Sequence, residues 1–127
     1  MMRVVVGFIF NKGELLLIKH KRKNIWLPVG GHVEDGESDS DALKREIKEE
    51  VELEASISDK PFFTLKEENE TTPHYICFSP TRKVKINLTE ISDYKWLTKE
   101  DIFKFDLIEK VKNLSIKAFS ILERCNS

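Results

Sequence analysis

The 127-residue chain is poor in the features that mark several protein classes. It has two cysteines, Cys77 and Cys125, with neither the spacing of a disulfide framework nor that of a zinc finger. A stapled secreted scaffold is therefore not expected, and a reducing, cytoplasmic setting is. No stretch approaches the roughly 20 apolar residues that a membrane helix needs. The run from Val4 to Phe10 is seven residues long and lacks the small-residue cleavage site of a secretory leader. Neither sign of charge dominates: 21 Lys+Arg against 22 Asp+Glu leave a net charge of −1. That balance argues against a generally basic nucleic-acid surface. No P-loop, dinucleotide glycine fingerprint or His-Glu-x-x-His helix occurs. His32-Val33-Glu34 would open a zinc-deaminase motif, but the Pro-Cys-x-x-Cys partner is missing.

What remains fits one domain, residues 1–127, large enough to bury a core without staples. The near-neutral sum hides segregation. Residues 19–23 read Lys-His-Lys-Arg-Lys, whereas acids crowd residues 34–54. Apolar patterning predicts strands at 3–10 and 14–19, joined by an Asn11-Lys12-Gly13 turn. Residues 20–31 read as a loop, with a short extended piece at His32 and Val33. Ser38, with Asp41 three residues on, predicts a capped helix start, and Leu43, Ile47 and Val51 form its stripe. Strands are expected over 53–66 and 73–79, separated by a polar loop at 67–72. Alternation of Val84, Ile86 and Leu88 predicts a strand over 83–88, and another is expected at 94–97. Thr98 with Asp101 marks a further helix start, and a last helix is expected from about Asp106 to Glu123. Interleaved strands and helices make this an α/β or α+β fold.

Glu46, Glu49 and Glu50 fall at i, i+3 and i+4, so a helix places them on one face. Like charges at that spacing oppose one another, and hard divalent cations take carboxylate oxygens as ligands. The plain alternative is a solvated acidic face balanced by Lys44, Arg45 and Lys48. Context favours the cation: the helix follows the Gly30-Gly31 pair, and Glu34 and Glu37 precede it.

As a spacing, the segment is Gly31, five residues, Glu37, seven residues, Arg45-Glu46-Ile47, one residue, Glu49-Glu50, one residue, Glu52-Leu53. This resembles the Nudix hydrolase signature, G-x5-E-x7-R-E-U-x-E-E-x-G-U, with U a bulky aliphatic. Eight of nine defined positions match. Trp26-Leu27-Pro28 before the glycines and Trp96-Leu97 before the final helices extend the likeness. The departure is Glu52, where the family has a glycine that ends the helix in a left-handed conformation.

The resemblance implies a mixed β-sheet sandwiched between α-helices. It implies a metal-dependent, MutT-like pyrophosphohydrolase acting on a nucleoside diphosphate linked to another moiety, for instance an ordinary or oxidised (d)NTP. Mg²⁺ or Mn²⁺ would be held by Glu46, Glu49 and Glu50, with the Gly31 carbonyl as a further donor. Glu46 or Glu49 would be the base, and Arg45 would hold a glutamate, with Glu37 as its partner. An additional acid is expected from outside the box: Glu90 first, Asp93 or Glu68 otherwise. Lys19, Lys21, Arg22 and Lys23 could meet phosphates. Trp26, His32 and His74 are candidates for substrate contact, each set against a packing role. The partner is a small nucleotide, with no membrane, and the chain is a monomer or homodimer. The competing reading is a Nudix-fold domain that senses a nucleotide without cleaving it; such domains lose box glutamates, and this chain keeps them.

Overall fold

A computed structural model describes residues 2–125. In chain order the strands are β1 (Met2–Asn11), β2 (Glu14–His20), β3 (Trp26–Leu27), β4 (Val29–His32), β5 (Ser56–Ile57), β6 (Phe63–Lys66), β7 (Glu70–Phe78) and β8 (Ile91–Leu97). Helix α1 (Asp39–Val51) lies between β4 and β5, and α2 (Lys99–Lys104) and α3 (Glu109–Cys125) follow β8. The strands form one mixed sheet. β1 runs parallel to β7 and antiparallel to β2 and β4, and β2 pairs antiparallel with β3 and β8. The expected α/β sandwich is what is found.

Alternation along the central strands builds both layers. Val5 and Ile9 of β1, with Leu16 and Ile18 of β2, pack against Leu43, Ile47 and Val51 of α1. Their neighbours Phe8, Phe10, Leu15 and Leu17 point to the other face and meet Ile102 of α2 and Val111, Ala118 and Phe119 of α3. All eight strand side chains are at most 1% exposed. Each such burial contributes about 1.5–3 kcal/mol relative to exposure. Strands covered on both faces read as continuous apolar runs, which is how 4–10 and 15–18 look in sequence.

Several boundaries differ from the sequence reading. The 20–31 loop contains β3 and β4: His20 N–H closes a turn onto the Ile25 carbonyl, and the chain returns to pair with β2 and then β1. The 67–72 loop is shorter, because β7 begins at Glu70 and Lys66 already pairs with Thr71. The 53–66 strand is broken into β5 and β6. The last helix starts at Glu109 rather than Asp106.

The largest difference is at 83–88, which is not a strand. Its inward residues Val84 and Ile86 do pack on the α1-side core. Its backbone, however, bonds to a helix end: Lys85 N–H donates to the Val51 carbonyl at 3.0 Å and Asn87 N–H to the Glu50 carbonyl at 2.9 Å. The last carbonyls of a helix lack internal partners. An alternating segment can satisfy them as well as it can a sheet edge, and periodicity does not distinguish the two.

Helix α1 is capped by Ser38, whose Oγ accepts from Asp41 N–H at 3.1 Å. At its other end Glu52 adopts φ 54°, ψ 40°, and donates its N–H to the Lys48 carbonyl. The left-handed stop is kept without glycine, at a cost of about 1–2 kcal/mol for a residue bearing a Cβ. In α2, Thr98 and Asp101 form a reciprocal capping box. No described helix is long and apolar enough to cross a membrane.

Candidate functional site

The site begins where β4 passes over α1. A Cβ at Gly31 would overlap the Glu46 carboxyl, so a side chain there would displace that carboxyl. Gly30 is the more firmly constrained, because its Cβ would meet the backbone carbonyl of Val5 on the neighbouring strand.

Arg45 organises the acids around it. Its Nε donates to Glu37 Oε2 at 2.8 Å and its Nη2 to Glu37 Oε1 at 3.0 Å, a two-point fork. Nη2 also reaches the His32 carbonyl at 3.0 Å. Nη1 donates to Glu46 Oε1 at 2.9 Å and, more weakly, to Glu49 Oε2 at 3.4 Å. Glu37 is itself fixed by Glu34 N–H at 2.8 Å. The Arg45 hydrogen bonds hold the Glu37 carboxyl down to about 2. The same contacts push the guanidinium further above its already high value.

Glu50 is the opposite case. It is 5% exposed, its Oε2 has no hydrogen-bond partner, and burial, followed by the Glu46 and Glu90 charges, pushes its pKa up to about 8. Burial also raises Glu46, although Arg45 pulls the other way. A buried carboxyl oxygen without a donor is costly and calls for a partner. Among the described residues, no three His, Cys, Asp or Glu side chains already form a metal-holding cluster. Arg45 engages one oxygen each of Glu46 and Glu49, and the Glu50 oxygen stands unpartnered. Carboxylate and carbonyl oxygens are the donor type that Mg²⁺ and Mn²⁺ take, so the residues fit such an ion in chemistry.

Glu90 lies within electrostatic reach of both Glu46 and Glu50. Lys21 N–H bonds to its carbonyl at 2.8 Å, and the Lys21 ammonium donates to the Leu88 carbonyl, tying the basic turn to this segment. Glu90, Arg22, Lys23, His20 and His32 share one open cleft. His20, Lys23 and His32 also border a second cavity of about 500 Å³, which continues past Gly31 between the sheet and α3. Its walls include Phe8, Leu65, Val111 and Leu114, with Thr72, His74 and Lys110 as polar points. His74 is 3% exposed, its Nδ1 has no partner, and burial lowers its pKa, so the ring is neutral at neutral pH.

Other candidates lie elsewhere. Trp26 packs edge-on to Phe105 with centroids 5.4 Å apart, and with Lys19 it borders a separate cleft. Asp93 sits on β8 beside a groove that contains none of the box residues, and Glu68 lies in the β6–β7 turn. Sequence reading missed what positions α1. Arg3 of β1 grips Asp39 through two bonds of 2.6 and 2.7 Å, and Tyr75 Oη of β7 donates to the same carboxylate at 2.8 Å. Only the parallel β1–β7 register brings these residues together. Lys110 was missed because only the packing of α3 on the sheet brings it to the cavity.

An α/β/α sandwich thus presents a carboxylate-rich helix face beside a cavity of about 500 Å³. The NUDIX domain family model matches residues 1–119. The nucleoside triphosphatase NudI of Escherichia coli O139:H28 is 31% identical over 134 residues, covering 90% of this chain and 94% of that protein. A NUDIX-family hydrolase structure from Clostridium perfringens superposes with a TM-score of 0.86 at 24% identity, over 95% of this chain and 97% of that one. An ADP-ribose pyrophosphatase from Streptococcus suis gives 0.75 at 19%, over 99% and 92%. The chain belongs to the Nudix hydrolase family.

Proposed function

We propose that the protein is a divalent-metal-dependent pyrophosphohydrolase of nucleoside diphosphate derivatives, with nucleoside triphosphates as the leading substrate class. The observation that carries this reading is the buried, unpartnered Glu50 oxygen together with Glu46 and the Arg45–Glu37 fork, behind the Gly31 that also lines the 500 Å³ cavity. The NudI relative, named a nucleoside triphosphatase, supports the substrate class.

Glu46, Glu49 and Glu50 would hold Mg²⁺ or Mn²⁺, with the Gly31 carbonyl and Glu90 as further donors. Bound there, the ion would neutralise the pyrophosphate and lower the pKa of water. Water adds to one phosphorus, the bridging oxygen leaves, and Glu46 or Glu49 takes the proton of the attacking water. Arg45, anchored by Glu37, positions these carboxylates. Arg22 and Lys23 meet phosphate oxygens in the open cleft. The nucleoside enters the cavity, where His74 offers a neutral ring to the base. Lys19 and Trp26 line the separate cleft and take no part in this reading. All of this takes place within one domain, and a cytoplasmic setting suits it.

A panel of (d)NTPs, oxidised dNTPs, nucleotide sugars, ADP-ribose and dinucleoside polyphosphates, assayed with Mg²⁺ for phosphate and pyrophosphate release, tests the reading. Turnover strongest on a triphosphate is expected. Tight nucleotide binding with no turnover on the whole panel would replace it with the sensing role.

A further inference from the structure

Strand β8 is an open edge. Among the described residues its only strand partner is β2, and Ser92 to Lys95 are exposed in succession, so neither helix layer covers that stretch. Tyr94, 36% exposed, stands at its middle. Its N–H donates to the neighbouring Asp93 carboxylate at 2.8 Å. Asp93 and Lys95 flank it, are both exposed, and form no ion pair within the described chain.

Charges on an edge strand close it to arbitrary strands, because an apolar partner would bury them unpaired. One partner escapes that penalty. In antiparallel pairing about a two-fold axis at Tyr94, each residue meets the one whose number sums with its own to 188. Tyr94 then faces the second copy's Tyr94, and main-chain N–H and carbonyl groups are exchanged across the axis as antiparallel pairing requires. Asp93 faces the second copy's Lys95, and the same contact repeats across the axis. The carboxylate loses the Tyr94 N–H and gains an ammonium. The arrangement is self-complementary, as a two-fold interface requires.

We propose that the chain forms a homodimer by antiparallel pairing of its β8 edges, centred on Tyr94, with Asp93 and Lys95 forming two reciprocal ion pairs. Sedimentation velocity of the full chain over a concentration series tests it. A concentration-dependent dimer is expected. Lys95→Glu places like charges opposite each other twice, and each cross-strand pair is worth a few tenths to 1 kcal/mol, so dissociation should strengthen about tenfold. Asp93→Lys should do the same, and the double exchange Asp93→Lys with Lys95→Glu should restore the dimer. Circular dichroism checks that each variant is folded. A wild-type chain that stays monomeric at its highest soluble concentration overturns the proposal. So does a dimer indifferent to both single exchanges, which would place the interface elsewhere.

Discussion

The two faces of the sheet carry different kinds of order. On the α1 face, polar groups are fixed by specific bonds: Glu37 by two contacts from Arg45, and Asp39 by Arg3 and Tyr75. On the α3 face, the cavity is walled by apolar side chains with a few polar points, and His74 sits there among Phe8, Phe62 and Phe63 without a partner for Nδ1. The first arrangement suits chemistry, which needs charges held in place. The second suits recognition of a partly apolar group, with selectivity set by a few polar atoms. Substitutions on the two faces should therefore separate kcat from KM.

The largest effect is expected from the charged face. Glu49→Gln or Glu50→Gln should lower turnover by about 10²-fold or more while thermal unfolding and circular dichroism show an intact fold. Wild-type-like rates in either variant would break the contrast at its strong end. Gly31→Ala comes next. The added methyl overlaps the Glu46 carboxyl, so the strand or the glutamate must shift. Reduced turnover, with little change in chemical denaturation, is the expected result, because the displaced group is the flexible Glu46 carboxyl.

The apolar face should respond differently. His74→Phe preserves an aromatic body against Phe62 and Phe63 and removes the ring nitrogens. Steady-state kinetics should show KM rising severalfold, by unequal amounts for different bases, with kcat on the best substrate little changed. An equal fall in kcat for all bases would tie His74 to the chemistry instead.

The smallest effect concerns acid. The Arg45 contacts hold the folded Glu37 carboxyl at about 2, below its ordinary 4.5. A depressed carboxylate stabilises the fold above the unfolded value, and that stability is lost as pH falls from about 4.5 through about 2. Glu37→Gln should flatten that part of the pH–stability curve in thermal melts, leaving the apolar face untouched. An unchanged acid slope would show that the fork contributes nothing measurable to folding.

The same contrast explains what the sequence made legible. The box lies within one helix and the loop before it, so Glu46, Glu49, Glu50 and the Arg45–Glu37 pair can be read from spacing and resemblance alone. The apolar stripe of α1 and the buried β1–β2 hairpin are equally local. The cavity is not local. Val4, Leu65, His74 and Lys110 meet only through the β1–β7 parallel register, the β6–β7 hairpin and the placement of α3. Residues 83–88 show the limit from another side. Their alternation fits Val84 and Ile86, which pack inward, but not Leu88, which is 66% exposed, and the carbonyls the segment answers belong to α1. Glu52 shows that a backbone conformation can outlast the residue type that favours it, because the Lys48 bond and the docked 83–88 segment hold the helix end.

The central claim is that the α1 carboxylates act by holding a divalent metal. The most direct measurement is hydrolysis of the preferred nucleotide before and after excess chelator, followed by addition of Mg²⁺ or Mn²⁺. Activity should vanish with the chelator and return with either ion. Hydrolysis that survives the chelator undiminished would contradict the account.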